Sequence, residues 1–185
     1  MLRYTASYRA LASHLKRGGL IAYPTESCYG LGCDPRNHRA VQRLLKLKQR
    51  PQRKGLILIA ANFGQVSRYL LPVTTVQQQR LQLAGAQATT YLMPVRSNTP
   101  HSLRGGHDTL AVRLTAHKFS VWLCRGVRSA LVSTSANRSG QHPAKTYAAC
   151  RKMFGDKVRV LPGLIGKNKK PSTIRTWSDD KIIRK

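Results

Sequence analysis

Two hydrophobic periods take turns along this chain, and their alternation limits the fold more than any other feature. Apolar residues three and four apart mark helices: Ala10, Leu11 and Leu15 within 7–17, stopped by Gly18 and Gly19, then Ala40, Val41, Leu44 and Leu45 behind the capping Asn37, with Pro51 beyond. Continuous apolar runs mark buried strands at 20–23, cut off by Pro24, and at 56–60. Helical spacing returns through Phe63, Val66 and Leu70 within 62–71 and again in 76–83. Residues 89–95 and 109–114 read as strands, 117–125 as a helix with Trp122 on its buried face, and 130–133 as a strand entering a polar turn. A helix over 144–154 is closed by Gly155, and 157–161, 173–177 and 181–184 complete the strands. Strand and helix alternate without linker, repeat or low-complexity tract. The reading is one α/β domain over 1–185, with a twisted, mostly mixed β-sheet and flanking helices.

A length of 185 residues suits one domain, and 41% hydrophobic residues supply a core, which excludes disorder throughout. No apolar run approaches the roughly 20 residues that span a bilayer. Residues 1–7 lack the apolar stretch of a signal peptide, so a cytoplasmic location without membrane contact is expected. The 33 Lys+Arg against 6 Asp+Glu give a net charge of +27. Such charge repels itself in a compact state, and a polyanion relieves it, which points to RNA or DNA; a solubility role is the alternative. Aromatics are 6%, too few for a base-stacking platform, so contacts would go to phosphates. Cys28, Cys33, Cys124 and Cys150 form no CxxC pair, and the six histidines show no ligand spacing; neither a disulfide framework nor zinc is expected. Cys28 alone lies in a glycine-bearing loop of interest.

Three loops could carry chemistry, since in such sheets the site is built where loops leave strand ends. Residues 23–32 combine hydroxyls, two glycines and Glu26, the only glutamate; this carboxylate could orient a cation, accept from an amine, or hold a structural ion pair. Residues 46–55 bring five cations, Lys46, Lys48, Arg50, Arg53 and Lys54, round Pro51. Cations there suit a triphosphate, and equally suit the negative end of a helix dipole. Walker A and GxGxxG patterns are absent. Residues 133–140 offer Ser133, Thr134, Ser135, Asn137 and Ser139 before Gly140, either an anion nest or a capping turn. Nothing resembles GxSxG, so a serine nucleophile is not expected.

In this order the loops resemble the YrdC-like family, the threonylcarbamoyl-AMP synthases. The resemblance runs over nearly the whole chain: Ala22-Tyr23-Pro24-Thr25-Glu26, Tyr29-Gly30-Leu31-Gly32, the KxRP signature as Lys48-Gln49-Arg50-Pro51, Asp108 to Arg113, the SxN signature as Ser135-Ala136-Asn137, and Pro171-Ser172-Thr173-Ile174. The length looks like the single-domain bacterial form. The resemblance implies condensation of L-threonine, bicarbonate and ATP into threonylcarbamoyl-AMP with release of pyrophosphate. A separate transferase would then modify tRNA. It further implies Lys48 and Arg50 at the ATP phosphates and in catalysis, and Thr109, Ser133, Ser135 and Asn137 around the nucleotide. Thr25, Arg113, Ser172 and Thr173 would surround threonine, Arg113 suiting its carboxylate. Magnesium would accompany ATP, and the basic surface would meet tRNA or other RNA. An RNA-binding ribosome-maturation factor on the same fold is the alternative, and a carbamoyl-phosphate-handling accessory domain a weaker one.

Two departures stand out. The family's Trp-Pro-Gly-Pro stretch is replaced by Ala84-Gly85-Ala86-Gln87-Ala88-Thr89, which removes a rigid wall expected near the pocket. The run Lys167-Asn168-Lys169-Lys170 replaces a more neutral loop and is a candidate RNA contact.

Overall fold

The computed structural model describes residues 7–138, 140–168 and 170–184. Its elements in order are α1 (Ser7–Lys16), β1 (Ile21–Pro24), β2 (Tyr29–Cys33), α2 (His38–Lys48), β3 (Ile57–Ala60), α3 (Thr75–Ala86), β4 (Thr89–Pro94) and α4 (His101–Arg104). There follow β5 (Thr109–Leu114), α5 (Lys118–Gly126), β6 (Leu131–Ser135), α6 (Tyr147–Phe154), β7 (Arg159–Val160), β8 (Thr173–Thr176) and β9 (Ile182–Arg184). The strands form one mixed sheet of order β7-β1-β2-β6-β3-β5-β4-β8-β9.

The sheet is covered on both faces, which explains its continuous apolar strands. Successive residues point to opposite sides. Ile21, Tyr23, Ile59 and Leu131 pack with Leu11 and Leu15 of α1 and Leu123 of α5. Ala22, Leu58, Ala60 and Val132 pack on the other side with Val41 and Leu44 of α2, Leu81 of α3 and Phe154 of α6. Caps behave as their chemistry demands: the Asn37 side chain accepts from Ala40 N, and Thr74 with Gln77 closes a capping box.

Several sequence expectations change. The 62–71 spacing is realised as two 3₁₀ turns, Phe63–Gln65 and Ser67–Tyr69, not one helix. Val66 and Leu70 are buried as the spacing demanded, but Leu70 turns extended to bridge Val95, and Pro72 follows. Residues 29–32, read as loop, belong to β2, which lies between β1 and β6. Its glycines disguised it. Gly32 is required there, because a Cβ would lie 2.5 Å from the Val132 carbonyl oxygen. The helix expected from 144 starts at Tyr147, capped by Thr146, because Ala144 instead bonds Ala136 and Tyr29 through its backbone. Trp122 is only half-buried and stacks on Tyr8, ring centroids 4.4 Å apart. The one-turn α4 was not foreseen, being too short to show a period. Ser139, Lys169 and most of 1–7 lie outside the described residues.

Candidate functional site

The register places the three chemistry-bearing loops at one end of the sheet. Gly30 of β2 faces Ser135 of β6, and Ser133 of β6 faces Ile57 of β3. A cavity of about 290 Å³ opens there, near the lower bound of small-molecule sites. It is lined by Thr25, Arg50, Arg113, Ser133, Ser135 and Ser172, among the residues expected at a site, and also by Cys28, Lys145 and Arg184.

Three guanidinium groups therefore share one small cavity. Arg113 is buried on β5, and its guanidinium lies 3.2 Å from Glu26 Oε2. Thr115 Oγ1 donates to the other Glu26 oxygen at 2.8 Å, so Glu26 fixes the arginine rather than facing an amine. Arg113 Nε is buried without a hydrogen-bond partner. Arg50 follows α2, which ends because Gln49 adopts the left-handed conformation at φ 50°. Its Nε and Nη2 donate to the Gly55 carbonyl oxygen at 3.1 and 3.0 Å. Arg184, on the edge strand β9, donates to the Ser172 carbonyl oxygen at 2.8 Å. Burial, then the charges of Arg113 and Arg50, pull the Arg184 pKa below its ordinary value, and burial does the same to Arg50. Three guanidinium groups gathered in one cavity, with one carboxylate holding Arg113, suit an anionic ligand.

Lys48 takes a different place from the one expected. It is buried, and its Nζ donates to the Ser135 carbonyl (2.6 Å), the Asn137 carbonyl (2.7 Å) and Asn137 Oδ1 (2.8 Å). An ammonium has three protons, and all three are engaged. Lys48 and Asn137 thus build the loop behind the cavity wall rather than line it. Burial, then the nearby Arg50 charge, lowers the Lys48 pKa to about 8. Of the five cations round Pro51, Lys46, Arg53 and Lys54 are exposed away from the cavity lining, so the expected convergence reduces to Arg50 with Lys48 behind it.

Ser172 is buried and receives a 2.9 Å hydrogen bond from Thr90 Oγ1, a fully buried neighbour that sequence reasoning missed. Thr173 begins β8 opposite Thr89 and is not among the lining residues; nor is Thr109, which opens β5 opposite Pro94. The segment leading to Ser172 is tied to the first loop: Tyr29 Oη donates to the Gly163 carbonyl, Gly166 N to that of Thr25, and Asn168 N to that of Glu26. The stretch 84–89 ends α3 and begins β4, outside the cavity lining, so the lost Trp-Pro-Gly-Pro wall does not open this cavity. Burial raises the Cys28 thiol, which keeps it protonated at neutral pH. No group of three His, Cys, Asp or Glu side chains gathers to hold a metal among the described residues, and no described helix is long and apolar enough to cross a membrane.

A doubly covered mixed sheet with an arginine-lined anion cavity at one end is the architecture of a small-substrate binding or transfer protein. The comparisons narrow that class. The profile described as "Telomere recombination", of the Sua5/YciO/YrdC family, matches residues 13–185, and the chain belongs to this family. It is 52% identical over 176 residues, covering 95% of this chain and 98% of the relative, to a threonylcarbamoyl-AMP synthase of Methylobacillus flagellatus. One from Thiobacillus denitrificans is 47% identical, covering 94% and 93%. Among solved structures, P. abyssi Sua5 complexed with L-threonine superposes with a TM-score of 0.83 at 27% identity, covering 91% of this chain and 50% of that one. E. coli YciO shares the fold, with a TM-score of 0.79 at 22% identity over 96% of this chain and 88% of that one.

Proposed function

We propose that this chain is a threonylcarbamoyl-AMP synthase, a nucleotidyltransferase that converts L-threonine, bicarbonate and ATP into L-threonylcarbamoyladenylate, pyrophosphate and water. The observation that carries the reading is the cavity lined by Arg50, Arg113 and Arg184, in which Arg113 is held by Glu26. The nearly full-length relatives named for this activity support it.

Arg113, fixed by Glu26, receives the threonine carboxylate, while Thr25 and Ser172 border the amino acid. The threonine amine forms a C–N bond with the carbon of bicarbonate, and water leaves. A carbamate oxygen then attacks the α-phosphorus, and the bond to pyrophosphate breaks. Arg50 and Arg184 stabilise the charge that develops on the phosphate oxygens, and the loop built by Lys48, Ser133, Ser135 and Asn137 holds the nucleotide. Pro171 and Ser172, which follow the segment tied to the first loop, close one side of the cavity and help exclude water from the labile carbamate. Positioning supplies much of the rate. Glu26 is already paired with Arg113 and Thr115, and among the described residues no cluster of metal ligands forms, so these do not build a magnesium site; the ion would enter on the triphosphate, and no step is routed through it. The product would pass to a separate transferase acting on tRNA, in the cytoplasm. The test is pyrophosphate release by the purified chain, which should require all three substrates and fall at least tenfold in Arg50→Ala. Release that ignores threonine would refute the reading.

A further inference from the structure

The segment after β7 crosses the first loop at a place that the catalytic steps leave unused. Tyr29 Oη donates to the Gly163 carbonyl, and the Gly166 and Asn168 amides donate to the Thr25 and Glu26 carbonyls. None of residues 162–168 is buried, and Leu164 is 90% exposed. A tie made of backbone hydrogen bonds, with little apolar surface beneath it, opens at low cost. The segment leads to Pro171 and Ser172 in the cavity lining, so how firmly it lies bears on the threonine site.

His117 stands where this segment, the first loop and the start of α5 meet. Its amide donates to Thr115 Oγ1 at 3.2 Å, the hydroxyl that holds Glu26, and Glu26 in turn holds Arg113. Ser120 is fully buried; its Oγ donates to the Pro24 carbonyl at 3.3 Å and lies 3.3 Å from His117 Nδ1. A hydroxyl has one proton, so with that proton on Pro24 the ring is the donor to Ser120. The Leu164 backbone accepts from the ring as well, since its hydrogen bond favours the charged form. Two acceptors therefore face one ring. A neutral imidazole brings a single N–H to them, and an imidazolium brings two.

The groups around the ring pull in opposite directions. Burial leads in drawing the His117 pKa below its ordinary value; Glu26 from the first loop and the Leu164 backbone push it up, and Arg113 from β5 pushes it down. The positive end of α5, which His117 caps, acts in the same sense as Arg113. Of these, Arg113 is the one that a substrate changes, because a carboxylate seated on the guanidinium offsets its charge.

We infer that the carboxylate of threonine, on reaching Arg113, draws a proton from solvent onto His117, and that the imidazolium then clamps the segment 163–168 to the first loop by donating to both acceptors. This rests on Arg113 receiving threonine, as proposed above. His117 is then a positioning residue, coupled to the substrate through Arg113 without touching it. The coupling is reciprocal, so acid strengthens threonine binding.

The experiment titrates L-threonine into the full chain by calorimetry, without ATP or bicarbonate, in buffers of different ionisation heat. The parent should bind at least about fivefold more tightly at about pH 5 than at about pH 7, and should take up a fraction of a proton with each threonine. The threonine ammonium can only give up a proton, so uptake belongs to the protein. His117→Asn keeps a donor for Ser120 but carries no charge, and should lose both the pH trend and the uptake. A second measurement needs no variant: the assigned His117 ring carbons in the NMR spectrum of the parent should titrate at higher pH when threonine is saturating. Threonine bound without proton uptake, uptake that persists in His117→Asn, or a His117 titration unmoved by threonine would overturn the inference while leaving the synthase reading intact. Threonine that binds at no pH would refute both.

Discussion

Lys48 Nζ lies 2.8 Å from Asn137 Oδ1 and 2.7 Å from the Asn137 carbonyl oxygen, joining the end of α2 to the loop after β6. With Ser135 as third acceptor, one buried ammonium holds two of the three loops in register. Replacing it with methionine removes all three of these hydrogen bonds and leaves the loop held by Ser135 Oγ on Asn137 Oδ1 and Asn137 N on the Ser135 carbonyl. Lys48→Met should raise the KM for ATP at least tenfold, in line with the roughly 1.5–3 kcal/mol of a charge-assisted hydrogen bond.

The same ammonium gives a pH test with two opposite signs. Its pKa falls from 10.5 to about 8 on folding. Between those values the unfolded chain holds the proton and the folded one does not, so this group's contribution to stability rises with pH across that window. Donors to the loop decrease over the same window, so affinity for ATP should fall above about pH 8. Chemical denaturation and KM for ATP at pH 7 and 9.5 check both signs, and both trends should vanish in Lys48→Met.

Arg113 and Glu26 form the other internal pair, closed by Thr115. Arg113→Ala should raise the KM for threonine roughly tenfold to a hundredfold, with the KM for ATP changed much less. Glu26→Gln keeps the size and the Thr115 contact but frees the guanidinium to turn. It should lower kcat more than it weakens threonine binding, as steady-state kinetics would show.

Asp180 organises the C-terminal hairpin from outside the cavity. It accepts from Arg80 (2.9 Å), Tyr91 (2.7 Å) and Arg175 (2.7 Å), and Arg80 stacks over both Tyr91 and Trp177. That hairpin carries Arg184 to the cavity. Asp180→Ala should lower the melting temperature and raise the KM for ATP, with the KM for threonine changed less.

Gly85 faces the backbone of β5 at the point where the family's tryptophan and prolines are missing. A Cβ there would lie 1.6 Å from the Leu114 carbonyl oxygen. Gly85→Ala should therefore destabilise by about 1–3 kcal/mol or more, through forced separation of α3 from the sheet, measured by denaturant unfolding.

Fold class and the order of strands and helices were legible because a two-sided sheet writes unbroken apolar runs such as Leu56 to Ala60. β2 was not, because Gly30 and Gly32 carry no periodic signal and are set by the closeness of β6. The loops holding Thr25 and Arg50 could be picked out where they leave or enter strands, while Arg113 was singled out by the resemblance to the YrdC-like family. The inward turn of Lys48 could not, since its acceptors lie 87 and 89 residues away. Arg184 was hidden for a similar reason: only the pairing of β9 with β8 brings this C-terminal arginine beside Ser172. Long-range placement, not residue type, is what the linear pattern omits.

The most direct measurement follows pyrophosphate released from ATP by the purified protein, with L-threonine and bicarbonate each left out in turn, for the parent chain, Arg50→Ala and Arg184→Ala. The account predicts release only when all three substrates are present, and a loss of at least tenfold in each variant. Full activity in both variants, or turnover of ATP indifferent to threonine, would contradict it.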